Sequence, residues 1–249
     1  MGKAIHHYGL IQNGDRILVG VSGGKDSLTL LRLLQERRAR VPIDYELVAV
    51  HIDLGFDSER AKILKDFFEA QDLSYHIEFT EIGKKANSPV NRENPCFLCS
   101  WERRKQLFRL AHQLKCNKVA LGHHKDDIIE TLLLNIFYSA EISTMLPLQT
   151  LFKGKITLIR PLVLIEEKKI ERFAQEMDLP FGPSGCPSSG KTKRKEIKEL
   201  IEAAQMKNHR VKGNIFRSLS NVKLDYTLTG WKKKSPITPS LPPLEKRER

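Results

Sequence analysis

The sequence predicts an α/β protein with a doubly wound, mostly parallel sheet, and three observations carry that prediction. Short apolar runs alternate with helical stretches at regular spacing through the first half of the chain. The run Ile17-Leu-Val-Gly-Val21 breaks into Ser22-Gly-Gly-Lys-Asp-Ser27 and then a leucine-rich helix, not a hairpin. Further on, Lys118 to Leu121 ends in the same manner, in Gly122-His-His-Lys-Asp-Asp127. Strand–loop–helix steps of this kind bind ligands at the strand C-terminal ends.

Taken in order, residues 17–21 form a strand, and Ser27 to Arg38 a helix with leucines at 28, 30, 31, 33 and 34. Glu46 to Asp53 reads as a second strand, Ser58 to Ala70 as a helix, and Tyr75 to Phe79 as a third short strand. Trp101 to Leu114 is helical, Lys118 to Leu121 a strand, and Asp127 to Tyr138 a helix. Leu148 to Phe152 and Ile156 to Arg160, joined across Lys153-Gly-Lys155, pair as strands. Glu166 to Met177 and the highly charged Lys193 to Lys207 are helices, separated by a loop from Leu179 to Gly190. The expected division is a main domain over 1–178, a Cys186 loop with a basic helical region over 179–230, and a Pro-rich basic tail over 231–249, read as disordered.

Composition narrows the class. Hydrophobic content of 40% and charged content of 29% suit a globular chain with one full core. No apolar run approaches the ~20 residues that span a bilayer, and the N-terminus lacks a secretory pattern, so a cytoplasmic location without membrane contact is expected. The net charge of +12 favours a polyanionic partner. Basic residues cluster at Lys191–Lys195 and Lys232–Lys234, where phosphate contacts are expected.

Ser22-Gly-Gly-Lys-Asp-Ser27 has the parts of an anion cradle. Gly23 and Gly24 let backbone amides close around an oxyanion, and the following helix points its positive end at the same spot. Lys25 adds a mobile charge and Asp26 a ligand for a divalent metal. Asp53, ending the second strand, falls where such folds hold nucleotide or substrate. Gly122 followed by imidazoles and the paired Asp126 and Asp127 is a poor way to build core and a good way to build a site.

The cysteines form a third element. Cys96 and Cys99 make a C-x-x-C directly before a helix, Cys186 sits in Gly185-Cys-Pro, and Cys116 reads as a buried free thiol. In a cytoplasmic chain a metal or redox role outweighs disulfides. Three thiolates without an evident fourth ligand suit a [4Fe-4S] cluster with one open iron, although the spacing alone leaves zinc open. Gly185-Cys-Pro-Ser-Ser-Gly-Lys-Thr192 satisfies the Walker pattern by letter. It follows Leu179-Pro-Phe-Gly-Pro-Ser instead of a strand, and too little chain remains for the required sheet, so a nucleotide role is rejected there.

The hexapeptide 22–27 resembles the pyrophosphate loop (PP-loop) of ATP-pyrophosphatases, of the adenine nucleotide alpha hydrolase-like type. Together with Cys96-x-x-Cys99, Arg103-Arg104, residues 122–127 and Arg160-Pro-Leu162, it is similar to the tRNA 2-thiolation enzymes, from about Ile17 to about Ala204. That resemblance implies ATP with Mg2+ at Ser22, Gly23, Gly24, Lys25, Asp26 and Ser27, with Asp53 and Gly122 beside them. It implies adenylation of a pyrimidine C2 oxygen in tRNA and displacement of AMP by sulfur. It places a [4Fe-4S] cluster on Cys96, Cys99 and Cys186, and catalytic assistance on Ser22, Asp26, Arg103 and Asp126 or Asp127. A sulfur donor, as sulfide or a persulfide carrier, is implied, and a homodimer is left open. The stretches around Cys96 and His123 lean towards 2-thiocytidine formation. The single Cys186, where that branch usually has a second C-x-x-C, keeps 2-thiouridine as an alternative. A lysidine-type or amidotransferase enzyme has no use for Cys96 and Cys99, and a non-enzymatic RNA or iron–sulfur protein has none for Lys25, Asp26 and Asp127 together.

Overall fold

The computed structural model describes residues 1–56, 58–182, 185–187 and 192–226. Helix α1 (Gly2–Tyr8) precedes strand β1 (Asp15–Gly20) and helix α2 (Lys25–Arg38). They are followed by β2 (Tyr45–Asp53), α3 (Ser58–Ala70), β3 (Tyr75–Phe79), the one-turn α4 (Ile82–Ala86) and α5 (Pro95–Gln113). Then come β4 (Lys118–Ala120), α6 (Lys125–Ser139), β5 (Leu148–Leu151) and β6 (Ile156–Ile159). Helices α7 (Glu167–Glu176), α8 (Lys193–Lys207) and α9 (Val211–Ser218) follow, and a short 3-10 turn (Leu224–Tyr226) ends the described chain.

The six strands lie in the order β3-β2-β1-β4-β6-β5. All neighbours are parallel except the β5–β6 pair, in which Leu148 faces Ile159 and Leu151 faces Ile156. The expected mostly parallel doubly wound sheet, with its terminal hairpin, is therefore what forms. Alternation along each strand divides the core in two. Ile17, Val19, Leu47 and Ala49 point to the layer holding α2, α3 and α7, through Leu28, Leu31, Phe68 and Ile170. Leu18, Val48, Val50 and Val119 point to the opposite layer, against Leu107, Leu110 and Ala111 of α5. A smaller cluster, Ile129 with Ile197 and Ile201, seats α8 on α6.

Differences from the sequence reading concentrate at helix starts. Helix α5 begins at Pro95, because Asn94 caps it by accepting from the amides of Cys96 (3.0 Å) and Phe97 (3.2 Å), with Pro95 at the first helical position. Cys96 and Cys99 thus lie inside the helix and not before it, one turn apart on one face. The helices α1, α4 and α9 are not evident from periodicity. The proposed tail, residues 231–249, and Lys191 lie outside the described residues.

At the strand N-terminal edge, Lys118 of β4 is buried with Asp15 of β1 (2.6 Å) and donates to the Leu10 carbonyl (2.9 Å). Asp15 also accepts from the Gln12 amide and the Asn117 side chain. This buried pair joins the two central strands. Asp15→Ala strands a buried ammonium and should lower the urea-derived unfolding free energy by about 3–5 kcal/mol. Loss under about 1 kcal/mol would show that Lys118 finds water or another partner.

Candidate active site

The strand order reverses between β1 and β4, so the loops that leave these two strands face each other across the sheet edge. Their separation is set by Gly122. A Cβ there would stand 2.9 Å from the Asp26 carbonyl carbon and 3.0 Å from the Ser27 nitrogen. These are backbone atoms with no freedom to retreat, so only glycine admits this approach.

The first loop is braced from several sides. Gly23 adopts φ +84°, the left-handed region that glycine favours, which turns the chain into α2. Ser27 Oγ accepts from the Ser22 amide (3.1 Å) and donates to the Gly24 carbonyl (3.0 Å). Buried His51 donates from Nδ1 to the Val21 carbonyl (2.8 Å), and burial lowers its pKa, keeping it neutral. Arg60 of α3 donates to the Gly23 carbonyl, beside the Gly182 amide at 3.4 Å. The segment leading to Cys186 is thereby tied to the loop. Gly24 is the N-cap of α2 and contributes no side-chain acceptor, so the first amides of a 14-residue helix have no cap from it.

Asp26 of this loop and the two aspartates that open α6 have different surroundings. Asp26 Oδ1 is buried without a hydrogen-bond partner; His124 Nε2 stands 3.7 Å away. Burial raises the Asp26 pKa, with the Asp127 charge adding to it, against the pull of His124 and Lys25. Asp127 Oδ2 accepts from the His124 amide (3.0 Å) in a capping box, and Oδ1 takes Arg194 of α8 at 3.1 Å. Asp126 differs from its neighbour. Its Oδ2 accepts from the Glu167 amide (2.8 Å) and its Oδ1 pairs with Lys212 (2.8 Å), at 4% exposure. Both oxygens fasten α7 and α9 to α6, and none is turned to the loop.

Lys25 Nζ pairs with Glu167 (2.9 Å), whose other oxygen takes Lys198 (2.7 Å). Against the upward push of burial, bonds from Lys198 and Lys25 hold the Glu167 pKa at about 2. Arg194 also reaches Glu130 (3.0 Å). The basic helix α8, read from the sequence as a phosphate-facing element, thus spends Arg194 and Lys198 on the protein's own carboxylates. Glu167, Lys198, Lys212, Arg60 and His124's contact with Asp26 were not singled out from sequence. They lie on remote helices, and only the i, i+4 spacing of Arg194 and Lys198 on a charged helix offered a signal.

Helix α5 supplies two thiols, Cys96 and Cys99, and the segment between α7 and α8 supplies Cys186. Cys96 is exposed, Cys99 and Cys186 are half-buried, and Cys116 is in the core. Burial raises the Cys99 pKa; Arg103 opposes it, while the charges of Cys186 and Cys96 add to it. Cys96 and Cys186 therefore each sit within electrostatic reach of Cys99. Among the described residues, no three His, Cys, Asp or Glu side chains are already drawn together tightly enough to hold a metal ion. The Arg103 charge is also felt, as a minor contribution, by His51 and His123. Arg160, buried after β6, donates to His123 Nδ1 (3.3 Å). Burial lowers the Arg160 pKa to about 10 and the His123 pKa to about 4. Asp53 is set slightly apart. Its Oδ1 accepts from the Gly55 amide (2.6 Å) and it borders an 830 Å³ groove with Thr80, Glu81 and Gln106.

With this geometry in view, the relatives decide the family. The PP-loop domain family matches residues 3–204. The tRNA-cytidine(32) 2-sulfurtransferase of Geobacter sulfurreducens is 41% identical over 233 residues, which is 92% of this chain and 90% of that one. The chain belongs to the PP-loop tRNA-cytidine(32) 2-sulfurtransferases. The 2-sulfurtransferase of the same name from Polynucleobacter necessarius is 37% identical, covering 92% of this chain and 77% of its own. In fold, this 2-sulfurtransferase family member is similar to the U34-tRNA thiolase NcsA from Methanococcus maripaludis, solved with its [4Fe-4S] cluster. That likeness has a TM-score of 0.73 at 24% identity, over 88% of this chain and 76% of that one. No helix among the described residues is long and apolar enough to cross a membrane.

Two outcomes follow from the site. Gly122→Ala should displace the Asp26–Ser27 backbone and cut ATP-dependent pyrophosphate release at least about tenfold, at a stability cost of about 1–3 kcal/mol. Unchanged release would mean the loops separate freely. His123 binds a proton less readily folded than unfolded, so its contribution is full above pH 6.5 and declines as pH falls towards about 4. His123→Gln, which still accepts from Arg160, should flatten this part of the stability–pH curve in chemical denaturation; an equally steep curve would remove His123 as its source.

Proposed function

We propose that the chain uses ATP to adenylate the C2 oxygen of a cytidine in tRNA and replaces that oxygen with sulfur, giving 2-thiocytidine. The observation that carries this reading is the loop of Asp26, closed by the Gly122 approach and left with a carboxylate oxygen that has no hydrogen-bond partner, in a chain akin to the 2-sulfurtransferases along nearly its whole length.

The loop's residues suit triphosphate. Amides at the start of α2 and around Gly23 face an anion, and Lys25 exchanges Glu167 for phosphate when ATP enters. Ser22 sits exposed at the loop, with its hydroxyl 3.3 Å from Ser27 Oγ and 3.4 Å from the Gly24 amide. Asp26, half-buried with one oxygen that has no hydrogen-bond partner, fits a divalent cation, and the charge of Asp127 on α6 acts on it. When bound there, Mg2+ neutralises charge on the departing pyrophosphate. To Arg103 we assign the holding of the reacting base oxygen or its adenylate, as the resemblance implies. Asp126 is a clasp for α7 and α9, which keeps Glu167 against Lys25.

The thiols also fit a cationic group. Cys99 is disfavoured as thiolate by burial and by its two neighbours, a conflict that positive charge among the three relieves. Three thiols, with Cys116 committed to the core, suit a [4Fe-4S] cluster better than a four-ligand zinc site. When bound, such a cluster supplies an iron position free of protein ligands for carrying sulfur, from sulfide or a persulfide carrier. Cys96, Cys99 and Cys186 would hold it. A basic surface complements tRNA, with phosphate contacts also proposed for Lys232–Lys234. Two copies of the chain and a cytoplasmic setting complete the proposal.

Protein purified without oxygen should be brown, and Ala at Cys96, Cys99 or Cys186 should remove the colour while Cys116→Ala keeps it. Colourless protein holding one zinc per chain would overturn the cluster. Asp26→Ala should abolish tRNA-stimulated pyrophosphate release, a loss of at least about a hundredfold. Nucleosides from tRNA of a deletion strain should lack 2-thiocytidine when measured by mass spectrometry; loss of 2-thiouridine instead would move the target to uridine.

A further inference from the structure

Helix α5 carries a second functional face. Phe97, Trp101, Arg104 and Phe108 recur at i, i+4, i+7 and i+11, a single stripe along the helix. Such a stripe normally faces the core, but here Leu107, Leu110 and Ala111 do that, and Phe97 and Trp101 are 59% and 55% exposed. Phe108 is half-covered and meets Phe152 edge-on, with ring centroids 5.4 Å apart. Phe152 is itself 56% exposed, at the tip between β5 and β6. Both Phe152 (φ +52°) and Lys153 (φ +56°) take left-handed backbone conformations, which a bulky aromatic rarely tolerates. The fold thus accepts local strain to leave an aromatic ring at the surface.

The stripe adjoins the thiol face. Cys96, Cys99 and Arg103 follow one another at i, i+3 and i+7, and Phe97 is the next residue after Cys96. From Phe97 to Phe108 the helix rises about 16 Å, a span of two or three nucleotides.

We propose that this stripe is a stacking platform for unpaired nucleotides that flank the target base. Phe97 and Trp101 stack successive bases, Arg104 and Lys153 meet the phosphates, and Phe152 closes the far end. The proposal rests on the reading of the substrate as RNA and names the residues that recognise its single-stranded part. Alternating rings and cations suit RNA bases joined by phosphates. Arg103, Arg104, Lys105 and Lys153 surround the rings in a chain of net charge +12, a charge balance that complements the polyanionic backbone of RNA. Nearby Glu102 is 3.7 Å from Lys105, so its charge is partly offset.

The test uses the full chain with Trp231→Phe, which leaves Trp101 as the single tryptophan. A short RNA hairpin with an unpaired loop should quench Trp101 emission, and a blunt RNA duplex of equal length should not. Trp101→Ala should raise the Kd for the hairpin and the KM for tRNA about tenfold or more, the factor for losing one base–aromatic stack, with ATP binding unchanged. Trp101→Phe should restore affinity, and Trp101→Leu, apolar but unable to stack, should not. Equal quenching by duplex, or wild-type affinity in Trp101→Leu, would overturn the platform. So would quenching that rises with protein concentration in the absence of RNA, which would assign the stripe to a second copy. If deletion leaves every thionucleoside intact while the hairpin still quenches Trp101, the thiolation reading fails and the platform stands. The opposite pair of results removes the platform alone.

Discussion

The site depends on the contact between Gly122 and the Asp26–Ser27 backbone. Loops leaving β1 and β4 are adjacent because the strand order reverses there, yet adjacency alone leaves several ångströms undetermined. The missing Cβ lets one loop settle on the peptide plane of the other. That approach sets His124 near Asp26, aligns the start of α6 beside the start of α2, and places Asp126 so that its carboxylate meets the Glu167 amide.

Charge is then distributed unequally over this frame. On one side, carboxylates and cations from α2, α6, α7, α8 and α9 are paired off internally, through Glu167, Asp126, Asp127 and Glu130. Within that paired lattice Asp26 retains a buried oxygen with no partner. On the other side, Cys99 is pressed by burial and by two neighbouring thiols, with Arg103 as the compensating charge. At Asp26 the nearest cationic groups, Lys25 and His124, stand at 3.8 and 3.7 Å, beyond hydrogen-bond reach. A polar interior normally satisfies such groups, so the two deficits mark where a ligand completes the structure.

The reach of sequence reasoning varied with the range of the interaction concerned. Strand–loop–helix steps at residues 17–38 and 118–139 are local, and their alternation was enough for the parallel sheet and its terminal hairpin. The start of α5 was misplaced because an Asn-Pro cap is a two-residue signal, weaker than the periodicity that begins near Trp101. Among site residues, the loop glycines, Lys25, Asp26 and the aspartates after Gly122 were legible, since each sits in a short motif. Asp126 and Asp127 were not separable from sequence. Their different duties arise from Lys212, Glu167 and Arg194, which lie some 40 to 86 residues away in the chain.

By itself, then, the sequence determined what local chemistry determines: the alternation of elements, the flexible anion loop, and the supply of three thiols outside the core. Tertiary structure alone decided how those pieces share a site. It turned the cations of α8 inward, because Asp127, Glu130 and Glu167 are buried or half-buried and require partners. It fastened Gly182 and Arg60, from distant parts of the chain, to the Gly23 carbonyl. Such pairings join residues far apart in sequence, and their strength comes from burial, which no linear pattern specifies.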